Sequence, residues 1–234
     1  MKLEDYYELR QDRVLVSRQQ ASNFAKQVAN DFNPIHDVDS KRFCVPGDLL
    51  FSLVLNHYGL SQHMRFLFSG MVNDTIPLIF PRSDDDELTI KGENGKEYLH
   101  LERRGETTRQ PEVIEKLVRI YVAFSGRAFP HILVPLMEEN EVMINPERPL
   151  IIYESMEIHL RKLDLRTPSL ELDGTSLDVR GKRGKVALTF TLNDGEERVG
   201  HGVKNMVLSG LRPFDSERMQ EVVADYHRRM QQGA

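Results

Sequence analysis

Two kinds of apolar spacing alternate along this chain. Arg13-Val14-Leu15-Val16-Ser17 reads as a short strand, and Ser17 is a suitable cap for a following helix. From Ala21 to Asn30, Phe24, Ala25 and Val28 fall on one helical face. The run Leu49 to Leu55 is apolar on nearly all sides, which predicts a helix buried all round, opened by Gly47-Asp48 and ended by Gly59. Strand-like runs follow at Met64–Val72, Ile76–Phe80, Leu88–Lys91 and Glu97–Arg103. Asn94-Gly95 predicts a hairpin corner between the last two, and Asp84 to Glu87 reads as a solvated acidic loop.

A second cycle begins at Pro111, a favourable first helical residue. Val113, Ile114, Leu117, Val118, Tyr121 and Val122 follow at helical spacing, and a second apolar helix is predicted over Ile132–Met137. Four strands are then predicted at Ile151–Leu165, Leu170–Val179, Lys185–Leu192 and Arg198–Leu208. Gly181 to Gly184 and Asn193-Asp194-Gly195 read as their hairpin turns. Asp215 to Gln232 reads as a charged terminal helix. Arg127 stands 96 positions after Asp31, and Pro130 stands 96 after Pro34. Each proline follows an amphipathic helix and precedes an apolar segment, so the chain reads as a helix-plus-sheet unit used twice. The expected division is 1–108, 109–214 and a terminal helix at 215–234.

Composition narrows the class. The 234 residues suit one large domain or two small ones, with a sizeable core. A formal net charge of -5 argues against a general attraction to nucleic acid. One cysteine, Cys44, excludes an internal disulfide, which fits a reducing cytoplasmic setting. No apolar run is long enough for a membrane span, and the acidic start Met1-Lys2-Leu3-Glu4-Asp5 does not resemble a signal peptide. A soluble cytoplasmic protein is expected.

The chemistry concentrates at Asp31-Phe32-Asn33-Pro34-Ile35-His36. Pro34 drives Asn33 out of the helical region, so a carboxylate and an imidazole are presented from a rigid bend. Such a couple can share proton transfer near neutral pH. The purely structural alternative is an Asp and a His that only satisfy turn backbone. In the second copy Arg127, Phe129 and Ile132 take the places of Asp31, Asn33 and His36, so that copy lacks the couple.

Phe24-Ala25 followed by Asp31-x-Asn33-Pro34-Ile35-His36 resembles the signature of the MaoC-like, R-specific enoyl-CoA hydratases, with Asn30 where that family usually carries Gly. The resemblance is sharp over Ala21–Tyr58 and architectural beyond, and it extends to a narrower family of uncharacterised bacterial proteins of this length. It implies an α+β double hot-dog fold: two antiparallel sheets, each wrapped on a central helix. It also implies a hydratase or dehydratase acting on an acyl thioester. Asp31 and His36 would activate water, Asn33 would support them, and the N–H of Gly47 would hold the thioester oxygen. Coenzyme A enters only as part of the substrate; no other cofactor and no metal is expected. Asp48, directly after Gly47, would repel charge developing on that oxygen. Candidate anchors for coenzyme A phosphates are Lys41-Arg42, Arg103-Arg104, Arg161-Lys162 and Lys182-Arg183. A non-catalytic module binding an acyl chain or other small apolar ligand is the alternative function. The sequence leaves open whether the double unit stands alone or pairs as a homodimer.

His36-Asp37 also matches the dipeptide of metal phosphohydrolases, but His57 and His63 offer no partner at metal-ligand spacing. Cys44 beside Val45-Pro46 reads as a small core residue rather than a nucleophile.

Overall fold

The computed structural model describes residues 2–232. Ser17 caps α1 (Arg18–Asn23) through a capping box with Gln20. The helix continues as a π-helical turn, Phe24–Ala29, and stops where Asn30 takes a left-handed conformation at φ 55°. Asn accepts that conformation more readily than most side chains, which explains why it stands where the resembled family has Gly. The main buried helix is α2 (Gly47–Tyr58), closed by Gly59. Leu49, Phe51, Val54 and Leu55 in it are fully buried. The long helix α3 (Pro111–Gly126) buries Leu117, Val118, Tyr121 and Val122. Two short helices follow, α4 (Ala128–His131) and α5 (Leu133–Glu139), and α6 (Ser216–Gln232) ends the described chain.

Ten strands form one antiparallel sheet. They are β1 (Glu8–Arg10), β2 (Arg13–Leu15), β3 (Leu60–Phe68), β4 (Leu78–Ile79), β5 (Glu87–Gly92) and β6 (Glu97–Thr108) in the first part. After a short β7 (Val142–Met143) come β8 (Ile151–Leu160), β9 (Pro168–Arg180), β10 (Arg183–Asp194) and β11 (Glu197–Ser209). The spatial order is β1-β2-β4-β5-β6-β3-β8-β11-β10-β9. From the β3/β8 seam outward, β3-β6-β5-β4 on one side mirrors β8-β11-β10-β9 on the other, with β2 and β1 beyond β4. A separate two-stranded ladder pairs β7 with β12 (Arg212–Pro213).

Several elements differ from their sequence expectation for local reasons. β3 begins at Leu60, earlier than Met64, because Gly59 (φ 87°) turns the chain straight out of α2. β4 shrinks to Leu78–Ile79 between Pro77 and Pro81, which have no N–H for a ladder. The expected second apolar helix starts one residue later, tolerates Pro135 in its first turn, and leaves Pro135 exposed. In place of two sheets, pairing of His63–Leu67 with Ser155–His159 joins the strands into one. Among the described residues no helix is long and apolar enough to cross a membrane.

Candidate functional site

The bend after α1 is organised by its own side chains. The Asn33 N–H donates to Asp31 Oδ1 at 2.9 Å, and the Ile35 N–H donates to Asn33 Oδ1 at 3.1 Å. Asn33 thereby caps a single 3₁₀ turn, Pro34–His36. These are the Asx-type bonds that short polar side chains make in turns.

The turn brings the couple together. His36 is 9% exposed, and its Nε2 stands 3.6 Å from Asp31 Oδ2. The Cys44 carbonyl oxygen lies 2.7 Å from His36 Nδ1, and a carbonyl only accepts, so Nδ1 carries a proton. Nε2 is the nitrogen that faces the carboxylate. At 3.6 Å the two groups are just beyond a normal hydrogen bond. Asn33 contributes by fixing Asp31 rather than by facing His36.

Both side chains line a cavity of about 610 Å³, within the range of small-molecule sites. Leu50, Phe68, Val72, Leu133, Ile151 and Met206 give it apolar walls. Gly47 lines it too, at the start of α2, where the first N–H groups have no intrahelical acceptor. Only glycine fits there: a Cβ would stand 2.6 Å from Cδ1 of the Tyr153 ring. Cys44 also lines the cavity, and burial pushes its thiol up to about 12, so it is no ready nucleophile. Phe129 lines the same space.

A second polar group lines the same cavity, assembled from residues far apart in the sequence. Asp48 is buried and lines the cavity together with Ser125, Tyr153 and Lys204. Its Oδ2 accepts from Ser125 Oγ at 2.6 Å, and Lys204 Nζ lies 3.9 Å from Oδ1. Lys204 donates to Ser125 Oγ and rests 4.2 Å over the Tyr153 ring. Tyr153 in turn shares a hydroxyl–hydroxyl hydrogen bond with Tyr121. Burial pushes the Asp48 carboxyl above its ordinary range, and Lys204 and Ser125 oppose that shift. Oδ1 is buried and has no hydrogen-bond partner. Lys204 partly offsets the cost of burying Asp48. A signal for Lys204 did exist: it occupies an inward position in the alternation Gly200, Gly202, Lys204, Met206, where a charge needs a partner.

The terminal helix is part of the site. Tyr226 Oη donates to the Asn30 carbonyl at 3.2 Å and accepts from the Phe32 N–H at 3.4 Å. Its ring meets Phe32 and Phe129 edge-on. Arg229 Nη1 donates to Asp37 Oδ2 at 2.6 Å, and Lys26 Nζ reaches the other oxygen of Asp37 at 2.8 Å. The spacing of Met219, Val222, Val223 and Tyr226 is the sequence signature of this docking.

Of the candidate phosphate anchors, Arg103 is buried and engaged by backbone. It donates to the carbonyls of Asp85 (3.0 Å) and Tyr58 (3.2 Å). Lys162 is engaged by Asp194 and Glu197.

The sequence matches, over residues 1–217, the family described as "Protein of unknown function (DUF3581)", and the chain belongs to that family. No curated protein sequence matches it. Several solved structures are similar in backbone only. The tesB protein of Mycobacterium avium subsp. paratuberculosis has 8% identity and a TM-score of 0.43, covering 88% of this chain and 96% of its own. The acyl-CoA thioesterase II TesB2 of Mycobacterium marinum has 11% identity and a TM-score of 0.41, covering 92% and 99%. A protein titled MaoC-like dehydratase has 10% identity and a TM-score of 0.44, covering 89% and 99%.

Proposed function

We propose that this DUF3581 chain is a double hot-dog protein that hydrates an enoyl thioester, or dehydrates the matching hydroxyacyl thioester, at Asp31 and His36. The units would be 1–108 and 109–214, with 215–234 as a docked tail. The observation that carries the reading is the Asp31 Oδ2 to His36 Nε2 approach of 3.6 Å at the wall of a largely apolar cavity.

Hydration joins water oxygen to the β-carbon and a proton to the α-carbon. The couple takes one proton from water and returns one to carbon, so it enters and leaves the cycle with the same proton count. Negative charge builds on the thioester oxygen as the new bond forms. A fixed N–H at the start of α2, that of Gly47, is the donor such an oxygen requires. The apolar walls would take the acyl chain.

Turnover of crotonyl-CoA and longer trans-2-enoyl-CoA thioesters, followed by loss of enoyl absorbance, tests the proposal with Asp31→Asn as control. Turnover that vanishes in the variant supports it. No turnover at any acyl length discards the catalytic reading.

A non-catalytic acyl-binding module is the second reading. The Tyr153 ring packed close against Gly47 favours it, because the ring narrows the space beside the helix start. Under it, acyl-CoA raises the melting temperature with concentration while no substrate is consumed.

A further inference from the structure

The solvent-facing side of the seam holds a group of side chains that the proposed reaction does not use. Buried Met156, Ile158 and Leu160 point inward from β8, so Glu157 and His159 project from the opposite face. His63 on β3 lies directly across from His159, and His201 on β11 lies directly across on the other side. Three imidazoles therefore stand in a row over adjacent strands. Their rings stack nearly parallel, with centroids 4.1 Å apart for His63–His159 and 4.9 Å for His159–His201.

Two of these rings converge on one atom. Nε2 of His63 lies 3.0 Å, and Nε2 of His159 2.7 Å, from the same oxygen, Oε1 of Glu157. The three potential ligand atoms lie within 4.8 Å of one another. Ligands on a tetrahedral zinc ion, with bonds of about 2.0–2.1 Å, stand about 3.3 Å apart. Two parallel rings cannot both hold one ion in their planes, so an ion enters with a rotation of one imidazole out of the stack and an outward movement of the carboxylate. The neighbouring Arg65 is occupied by Glu102 at 3.1 Å, which offsets its repulsion of a cation.

We infer that His63, His159 and Glu157 form a binding site for a divalent transition ion of the zinc class, which ties β3 to β8 across the seam. Two imidazoles and one carboxylate suit zinc, nickel or copper(II) and do not suit magnesium. His201 walls one side of the site by stacking on His159. The sequence offers His63 no partner, because its partners lie almost a hundred positions away; the sheet supplies them.

The test uses full-length protein without a polyhistidine tag, stripped with chelator and then titrated with ZnCl2 by calorimetry. Cobalt(II) absorption reports the ligand set. One zinc per chain is expected, with a melting temperature that climbs with zinc and does not respond to magnesium. His63→Ala and His159→Ala should each weaken binding by at least about tenfold, since loss of even an outer support costs that much. His100→Ala, at another histidine of the sheet, should leave it unchanged. Circular dichroism verifies that the partly exposed variants remain folded. Absence of saturable zinc binding overturns the inference, and so does binding that persists in the His63→Ala/His159→Ala double variant.

Discussion

Gly126, the last residue of α3, lies against the carbonyl oxygen of Ala29. A Cβ at Gly126 would stand 1.8 Å from that oxygen. The obstacle is backbone and cannot rotate away. This contact sets the position of the chain two residues before Asp31. Gly126→Ala should therefore cost at least about 3 kcal/mol, a drop of roughly 6–12 °C in melting temperature for a chain of this size. Any residual turnover should fall with it. An unchanged melting curve would mean that the two helices are not packed this closely.

The acid–imidazole couple predicts a specific kinetic pattern. Asp31→Asn keeps an acceptor for the Asn33 N–H, so the fold should survive. Activity on enoyl thioesters should fall about 10²–10⁴-fold, as for loss of a general acid–base group. His36→Gln should do the same, and the double variant should be little worse than either single one, because the two act as a unit. Multiplicative losses would argue against a shared proton.

Lys204 and Asp48 form a buried pair whose partners depend on each other. Lys204→Met leaves the carboxylate uncompensated and should cost about 3–5 kcal/mol. Adding Asp48→Asn to it should recover part of that loss. Urea denaturation of the four proteins in a double-mutant cycle measures the coupling. Additive effects would show that Ser125, rather than Lys204, satisfies Asp48.

Asp48 also predicts a pH dependence. Its carboxyl is raised in the folded protein, chiefly by burial. The folded state therefore binds the proton more tightly than the unfolded one. Its contribution to stability is greatest below the ordinary Asp range and declines as pH climbs toward the raised value. Asp48→Asn lacks this decline. Between pH 4 and 8 the stability difference should shift in favour of the variant as pH increases. A constant difference across that range would refute a raised Asp48.

The terminal helix should behave as a latch. Tyr226→Phe removes the bonds to Asn30 and Phe32, at about 0.5–1.5 kcal/mol each. Arg229→Met frees Asp37 from one of its two cations. Both variants should exchange amide hydrogens faster in 30–37 and in α6, while β9–β11 stay protected. Uniformly faster exchange would instead indicate general destabilisation.

Much of this protein is decided within short stretches of chain. Period-two and period-3.6 spacing marks β8–β11 and α3, the glycine-bearing corners at Asn94-Gly95 and Asp194-Gly195 mark hairpins, and Ser17 marks a helix start. The Asp31–His36 bend is equally local, since Asn33 and Pro34 build it from neighbours two residues away. Propensity, turn chemistry and capping act over one or two turns, so a linear reading reaches them. What tertiary structure alone decided is every pairing across a long stretch of chain. Ser125 reaches Asp48 from 77 positions away, Glu157 reaches His63 from 94, and Tyr226 reaches Phe32 from 194. Such contacts carry a loop-closure cost that no local pattern offsets, and they form only when burial of the whole sheet and its helices brings them together. The seam between β3 and β8, the compensated charge beside α2 and the closed face of the cavity all belong to that second class.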